Sequence, residues 1–143
     1  MPTVERARNN LIKELVKMNA CKESLRWVKN NNFSTPKAVW ENCKDGSRMM
    51  WMLRKVGVPL SYQQEAIIRM QKLIANDIDP NYLLNKINTK YWNADDICLA
   101  IYWRAYYTGN HRLLLKKCSD IVRKTVPWYI VRDALDKWRK ENK

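Results

Sequence analysis

The chain has 143 residues, 46% of them hydrophobic, with only three Gly and five Pro, which excludes a disordered or low-complexity protein. Its 27 Lys and Arg outnumber its 14 Asp and Glu, so the net charge is +13. One domain is expected at this length, and the basic excess favours a polyanionic partner such as nucleic acid, a nucleoprotein or an acidic protein.

The first half of the chain shows the helical periodicity of five amphipathic or buried segments. Thr35 precedes a proline, which places a capping hydroxyl just before a residue suited to the first helical position. Ser47 and Ser61 are expected to cap the next two helices, and Asp45-Gly46 is expected to end the helix before them. The predicted helices span residues 3–19, 20–29, 36–43, 48–56 and 61–74.

The second half is organised around residues 95–107, where apolar and aromatic side chains occupy nearly the whole circumference of a helix. Asn93 and Asp96 form a capping pair at its start, Gly109 closes it, and other helices are expected to enclose it. Helices are also predicted over residues 80–88, 112–126 and 128–140. The sequence therefore predicts an all-α fold, a compact single-domain bundle of about eight or nine helices around a central apolar helix near residues 94–108. Residues 1–143 are expected to form this one helical domain.

The cysteines favour a reducing compartment. Cys21, Cys43, Cys98 and Cys118 show no Cys-x-x-Cys spacing and no histidine partner at zinc-finger spacing, so they are interpreted as small buried hydrophobic residues. The first residues contain no apolar signal core, and no run approaches the roughly 18 apolar residues that span a bilayer. A cytoplasmic protein without a membrane partner is expected.

The last two predicted helices carry the strongest functional signal, because residues 112–143 contain ten Lys or Arg against four acids. Basic residues at helical spacing can neutralise successive phosphates of a nucleic acid. An ordinary solvated helix face is the alternative interpretation, and the overall charge favours binding. The candidate residues for binding nucleic acid or an acidic partner are Arg112, Lys116, Lys117, Arg123, Lys124, Arg132, Arg139 and Lys140.

Aromatic residues beside cations suggest stacking or cation–π contacts. Helical periodicity places most of the aromatic residues in the core, and those next to the ends of elements are the exceptions. The candidate aromatic contacts are Tyr91, Trp92, Tyr107 and Tyr129.

Catalytic signals are weak. His111 lies seven residues before Cys118 on one predicted helix, so the two share a face but stand about 10 Å apart along its axis, too far for a nucleophile and its base. No glycine-rich phosphate loop, nucleophile elbow or two-histidine metal motif is present. No catalytic residue, metal ligand or cofactor is predicted, and a non-enzymatic protein is expected.

Four motifs follow one another along the chain: Ala20-Cys21 with Trp27, Ala38-Val39-Trp40-Glu41-x-Cys43, Asp45-Gly46 with Met50-Trp51-Met52-Leu53, and Ser119-Asp120-Ile121-Val122-Arg123. Together they resemble a family of small phage and bacterial proteins that has no established activity. The resemblance covers most of residues 20–56 and a few positions near residue 120. This chain has Gly46-Ser47-Arg48-Met49 where that family tends to have Gly-Asp-Trp-Met, so the aspartate of the family is absent. The resemblance implies an all-helical fold and a phage origin.

Three functional hypotheses remain open from the sequence. The favoured hypothesis is a basic protein that docks onto nucleic acid or a nucleoprotein complex. If the phage resemblance holds, the alternative is an inhibitor of a host defence (anti-CRISPR-like) or replication protein that acts by protein–protein contact on an acidic host partner. The third is a helical metal-dependent nuclease or hydrolase. The sequence does not separate DNA from RNA and does not indicate an oligomeric state.

Overall fold

A computed structural model describes residues 3–74, 81–88, 93–107 and 109–143. These residues form nine α-helices, and no β-strand occurs among them, which confirms the all-α prediction. The helices are α1 (Val4–Lys17), α2 (Lys22–Asn30), α3 (Pro36–Asn42), α4 (Gly46–Val56), α5 (Leu60–Ile74), α6 (Asn81–Asn88), α7 (Ala94–Tyr107), α8 (His111–Thr125) and α9 (Trp128–Glu141).

Contacts along the chain define two compact units, Met1–Asn42 and Cys43–Lys143. The first unit contains α1, α2 and α3, and the second contains α4 to α9. The single domain over residues 1–143 stays a prediction.

In the first unit, α1 packs on α2, and side-chain caps begin the helices. Thr3 Oγ1 accepts a hydrogen bond from Arg6 N at 3.1 Å, and Thr35 Oγ1 accepts one from Ala38 N at 3.1 Å, which confirms the predicted Thr35 cap. The Cys21 thiol caps α2 by accepting a hydrogen bond from Ser24 N at 3.4 Å. This cysteine is exposed. The expectation that Cys21 is buried is therefore wrong.

The second unit is assembled on α4, which contacts α5, α7, α8 and α9. Met49, Met50 and Leu53 on this helix are completely buried, because neighbouring helices cover it on several sides. α5 and α7 also pack on α8, and α6 joins α5 to α7. The helix at the centre of the contacts is therefore α4, which is apolar on nearly every side in the sequence as well.

The helix predicted near residues 94–108 exists as α7, and its capping pair is confirmed. Asp96 accepts from Asn93 N at 3.2 Å while Asn93 Oδ1 accepts from Asp96 N at 3.0 Å. Its packing differs from the expectation of a helix enclosed on all sides. Ile97 and Ile101 are fully buried, but the opposite face is open to solvent, because α4, α6 and α8 cover only part of the helix.

The start of α4 lies two residues earlier than predicted. Asp45 is the N-cap, and its Oδ1 accepts hydrogen bonds from Ser47 N at 2.9 Å, from Arg48 N at 3.3 Å and from the Ser47 hydroxyl. Asp45-Gly46 therefore opens this helix, and the expected Ser47 cap is wrong. The Ser61 cap is wrong as well, since α5 already begins at Leu60.

Candidate nucleic-acid interface on α7 and α8

α8 concentrates the positive charge of the second unit. It contains five basic residues and one acidic residue, Asp120, whose carboxylate is bound by Arg123 at 2.8 Å. Most apolar positions of this helix face inward, with Leu113 as an exception, and the remaining basic side chains extend into solvent. Lys117 and Lys124 are seven residues apart and share the outward face, while Arg112 and Lys116 are separated by one turn. The exposed basic residues are Arg112, Lys116, Lys117 and Lys124.

Arg123, which the sequence placed among the binding residues, has a structural position instead. Its guanidinium donates to the Cys43 carbonyl oxygen at 2.6 Å, to Ser119 Oγ at 3.1 Å and to the Asp120 carboxylate. These contacts tie α8 to the residues that precede α4. We therefore exclude Arg123 from the candidate interface, since its hydrogen-bonding capacity is used within the fold.

α9 carries less excess charge than the sequence count suggests. Its four basic residues face three acids on the same helix, and two of the predicted binding residues are paired with them. Arg132 lies 3.3 Å from Asp133, and Arg139 lies 3.7 Å from Asp136. Lys140 is exposed in the last turn. α9 packs on α4, whereas α8 packs on α4, α5 and α7. The cations of α8 and those of α9 therefore lie on helices with different neighbours.

The open face of α7 is an aromatic surface, which we call the α7 aromatic face and define by Leu99, Trp103, Tyr106 and Tyr107. These side chains are 53%, 48%, 47% and 81% exposed, respectively. Their spacing of four, three and one residues places them on one side of the helix, over about 12 Å along its axis. Such a contiguous exposed apolar surface is typical of an interaction site.

The rings of the α7 aromatic face support one another. Trp103 and Tyr107 have centroids 6.2 Å apart and ring planes 33° apart, so their faces point in similar directions. Tyr106 meets both rings edge-on, with centroid distances of 5.4 Å to Trp103 and 5.7 Å to Tyr107. Edge-to-face contacts of this kind are favourable and hold the rings in place.

His111 connects the α7 aromatic face to the cations of α8. Its ring centroid lies 5.3 Å from that of Tyr106 and 5.9 Å from that of Tyr102. Arg112 follows it directly in the chain and is exposed, as is Leu113. The aromatic rings and the first basic residues of α8 are therefore neighbours.

Of the four aromatic contacts predicted from the sequence, Tyr107 lies in this surface and Tyr129 is 52% exposed on α9. Tyr91 and Trp92 lie outside the described residues. The sequence missed Leu99, Trp103 and Tyr106 as surface residues. No signal separated them from core residues, because α7 is apolar around its circumference and has no polar face to mark its outside.

The two buried thiols are chemically protected. Burial raises the pKa of Cys118 to about 12 and that of Cys43 to about 11, although a backbone hydrogen bond from Asp45 opposes the second shift. Their ordinary value is 9.0. These thiols remain neutral near neutral pH, where only a thiolate would act as a nucleophile.

Native protein treated with a disulfide reagent at about pH 8 should be labelled at the exposed Cys21 long before Cys43 and Cys118. Mass spectrometry of labelled peptides checks the order, with urea-unfolded protein as the control. Labelling of native Cys118 as fast as Cys21 would contradict the burial.

Folding raises the pKa values of Cys43 and Cys118. The contribution of these two thiols to stability is therefore fully present below about pH 9 and is lost as the pH rises towards 12.

Among the residues described, no group of three or more His, Cys, Asp and Glu side chains is placed to hold a metal ion. In the same part of the chain, none of the helices combines the length and apolar character needed to cross a bilayer.

The motif residues within 43–53 and those within 119–123 meet in space in the second unit. Gly46 lies so close to α8 that a methyl group built on it would stand 2.4 Å from Cys118 Cβ and 2.9 Å from Ser119 N. Arg123, which belongs to the motif near residue 120, donates a hydrogen bond to the Cys43 carbonyl oxygen. The two segments, about 75 positions apart, therefore form one helix–helix contact, which explains these motif residues by packing.

Comparisons with protein families, with characterised proteins and with solved structures find no match to this chain.

Proposed function

We propose that the protein is a non-enzymatic, cytoplasmic binding protein that docks onto nucleic acid, alone or within a nucleoprotein, through the exposed cations of α8. The observation that carries this proposal is the charge of α8, with five basic residues against a single acid that is already paired. Arg112, Lys116, Lys117 and Lys124 are exposed on it, and the whole chain has a net charge of +13. Such a surface attracts a polyanion. Binding gains affinity because it releases the counterions that surround the phosphates of the nucleic acid.

Arg132, Arg139 and Lys140 on α9 are secondary contacts in this proposal. Arg132 and Arg139 have carboxylates beside them, which weaken the local field that a phosphate would meet. Exposed ion pairs of this kind are weak and exchange readily, so both arginines remain able to turn towards a polyanion. Their contribution to affinity is expected to be smaller than that of the α8 lysines.

The test is binding of fluorescently labelled DNA and RNA at several salt concentrations. Between about 50 and 200 mM salt the affinity should fall steeply, and replacing Lys116, Lys117 and Lys124 by Glu should lower the salt slope by about one unit for each lysine that contacts a phosphate. We expect at least a tenfold loss of affinity for this triple variant. A salt-independent affinity would remove the proposal.

The matched control exchanges three other exposed lysines, Lys17, Lys22 and Lys29, for Glu, which changes the net charge by the same amount. These residues belong to the first unit. If binding depends on α8, the control loses at most about threefold. Equal losses in both variants would show a diffuse attraction by net charge and contradict an interface on α8.

The second candidate function is inhibition of a host defence or replication protein, in line with the phage resemblance. The α7 aromatic face favours it, because exposed Trp and Tyr are typical anchors of protein interfaces. In nuclease-treated host lysate, a retained acidic partner that is lost with Trp103→Ala would support inhibition. Loss of all binding after nuclease treatment would support direct nucleic-acid binding.

The third candidate, a metal-dependent nuclease or hydrolase, has less support, because several of the described carboxylates act as caps or pair with neighbouring cations. Asp45 and Asp96 cap helices, while Asp120, Asp133 and Asp136 lie beside arginines. Cleavage of generic DNA or RNA upon addition of Mg²⁺ or Mn²⁺ would support this third candidate function.

A further inference from the structure

We infer that the α7 aromatic face stacks the unpaired bases of a single-stranded nucleic acid, while the adjacent cations of α8 hold its phosphates. This inference rests on the proposed function, because it names the class of nucleic acid that the basic surface would select. The bases of a duplex are stacked on one another and offer no free face, so an aromatic surface adds affinity only for a single strand.

The geometry of the rings suits stacking. Trp103 and Tyr107 differ in ring orientation by 33°, so consecutive bases can lie against them without a sharp reversal of the strand. Tyr106 supports both rings edge-on and is itself supported by His111. Rings that are already held in position lose little rotational freedom when a base binds. Tyr107 offers the largest free area, with 81% of its surface exposed.

The surrounding charge matches a nucleic-acid strand. At the C-terminal end of α7, His111 touches Tyr106 and leads directly to Arg112, with Lys116 and Lys117 one turn further along α8. The acids of α7 are at its other end, where Asp95 accepts a hydrogen bond from Trp51 Nε1 at 2.7 Å and Asp96 caps the helix. A strand lying over Trp103 and Tyr107 would therefore meet cations at the end of α7 that leads into α8.

The experiment measures the affinity of the full chain for a single-stranded oligonucleotide and for a duplex of the same length. Tyr107→Ala and Trp103→Ala should each weaken single-strand binding by about 5- to 100-fold and leave duplex binding unchanged. Trp103→Phe retains a stacking ring and should recover most of the affinity. The control is Ile68→Ala, which removes an exposed apolar side chain on α5, outside the candidate interface, and should change neither affinity.

An oligonucleotide with abasic sites sharpens the test, because it keeps the phosphates and removes the bases. The wild-type protein should bind it about as weakly as the double variant Trp103→Ala/Tyr107→Ala binds the normal strand, and this double variant should no longer distinguish the two. If the wild type binds abasic and normal strands equally, with a steep salt dependence, the stacking inference is wrong and the proposed function stands. If neither single strand nor duplex binds at low salt, the proposed function fails, and this inference fails with it.

A protein occupant of the same surface gives a different result. If Trp103→Ala changes the sedimentation of the protein alone, or releases a nuclease-resistant partner, and leaves single-strand affinity intact, a protein covers the α7 aromatic face. That result would overturn the inference.

Discussion

Gly46→Ala should destabilise the protein by about 3 kcal/mol, the largest effect expected of a change this small. A methyl group at this position would stand 2.4 Å from Cys118 Cβ, 2.8 Å from the Cys118 carbonyl carbon and 2.9 Å from Ser119 N. Two of these atoms belong to the backbone, so α4 and α8 must move apart to make room. Separation of these helices would open the core at Met49, Met50 and Leu53, where α4 meets its neighbours.

Urea unfolding followed by circular dichroism measures the loss. The control is Gly57→Ala, since nothing lies within 4 Å of a methyl group there and the cost is limited to a backbone φ of +81°. That strain is about 1–2 kcal/mol. If Gly46→Ala is no less stable than Gly57→Ala, the close approach of α4 and α8 is wrong.

Arg123→Ala should cost about 2 kcal/mol of stability and leave the nucleic-acid affinity of the folded protein nearly unchanged. The substitution removes the donor to the Cys43 carbonyl oxygen, which then lies partly buried without its 2.6 Å hydrogen bond. The contacts with Ser119 and Asp120 are lost at the same time. Arg123→Lys should recover only part of the stability, because an ammonium group does not reproduce the planar guanidinium fork.

Arg132→Ala is the matched control for this prediction. Its side chain is 55% exposed and pairs with the neighbouring carboxylate at 3.3 Å, so its removal should change stability by less than about 0.5 kcal/mol. Affinity is compared at a temperature where every variant is folded. If Arg123→Ala unfolds like Arg132→Ala but binds nucleic acid much more weakly, Arg123 belongs to the interface and not to the core.

Periodicity was sufficient to predict the helices, because their apolar residues recur at the spacing of a helix face. Where a local signal has two meanings, the sequence was misleading. Asp45-Gly46 fits the end of one helix as well as the start of the next, and the hydrogen bonds from Ser47 N and Arg48 N to the Asp45 carboxylate show which meaning applies. Ser47 accordingly lies inside the first turn of α4, where its hydroxyl bonds to the cap.

The candidate interface was only partly predictable for the same reason. Arg112, Lys116, Lys117 and Lys124 share helical positions away from the apolar face of α8, and they are exposed as expected. Arg123 follows the same spacing, but its main partner lies 80 residues away, which no local pattern reveals. On α7, apolar and aromatic residues on every side left the exposed face undetermined until α4, α6 and α8 were placed.

The position of α4 at the start of the second unit affects how the nascent chain folds during synthesis. Met49, Met50 and Leu53 leave the ribosome long before α7 and α8, the helices with which α4 makes its most extensive contacts. Until about residue 126 has emerged, this apolar helix has no complete set of partners and stays available to chaperones or to another unfinished chain. We therefore expect the second unit to fold only after α8 has emerged, and premature termination within α8 to yield an aggregating product.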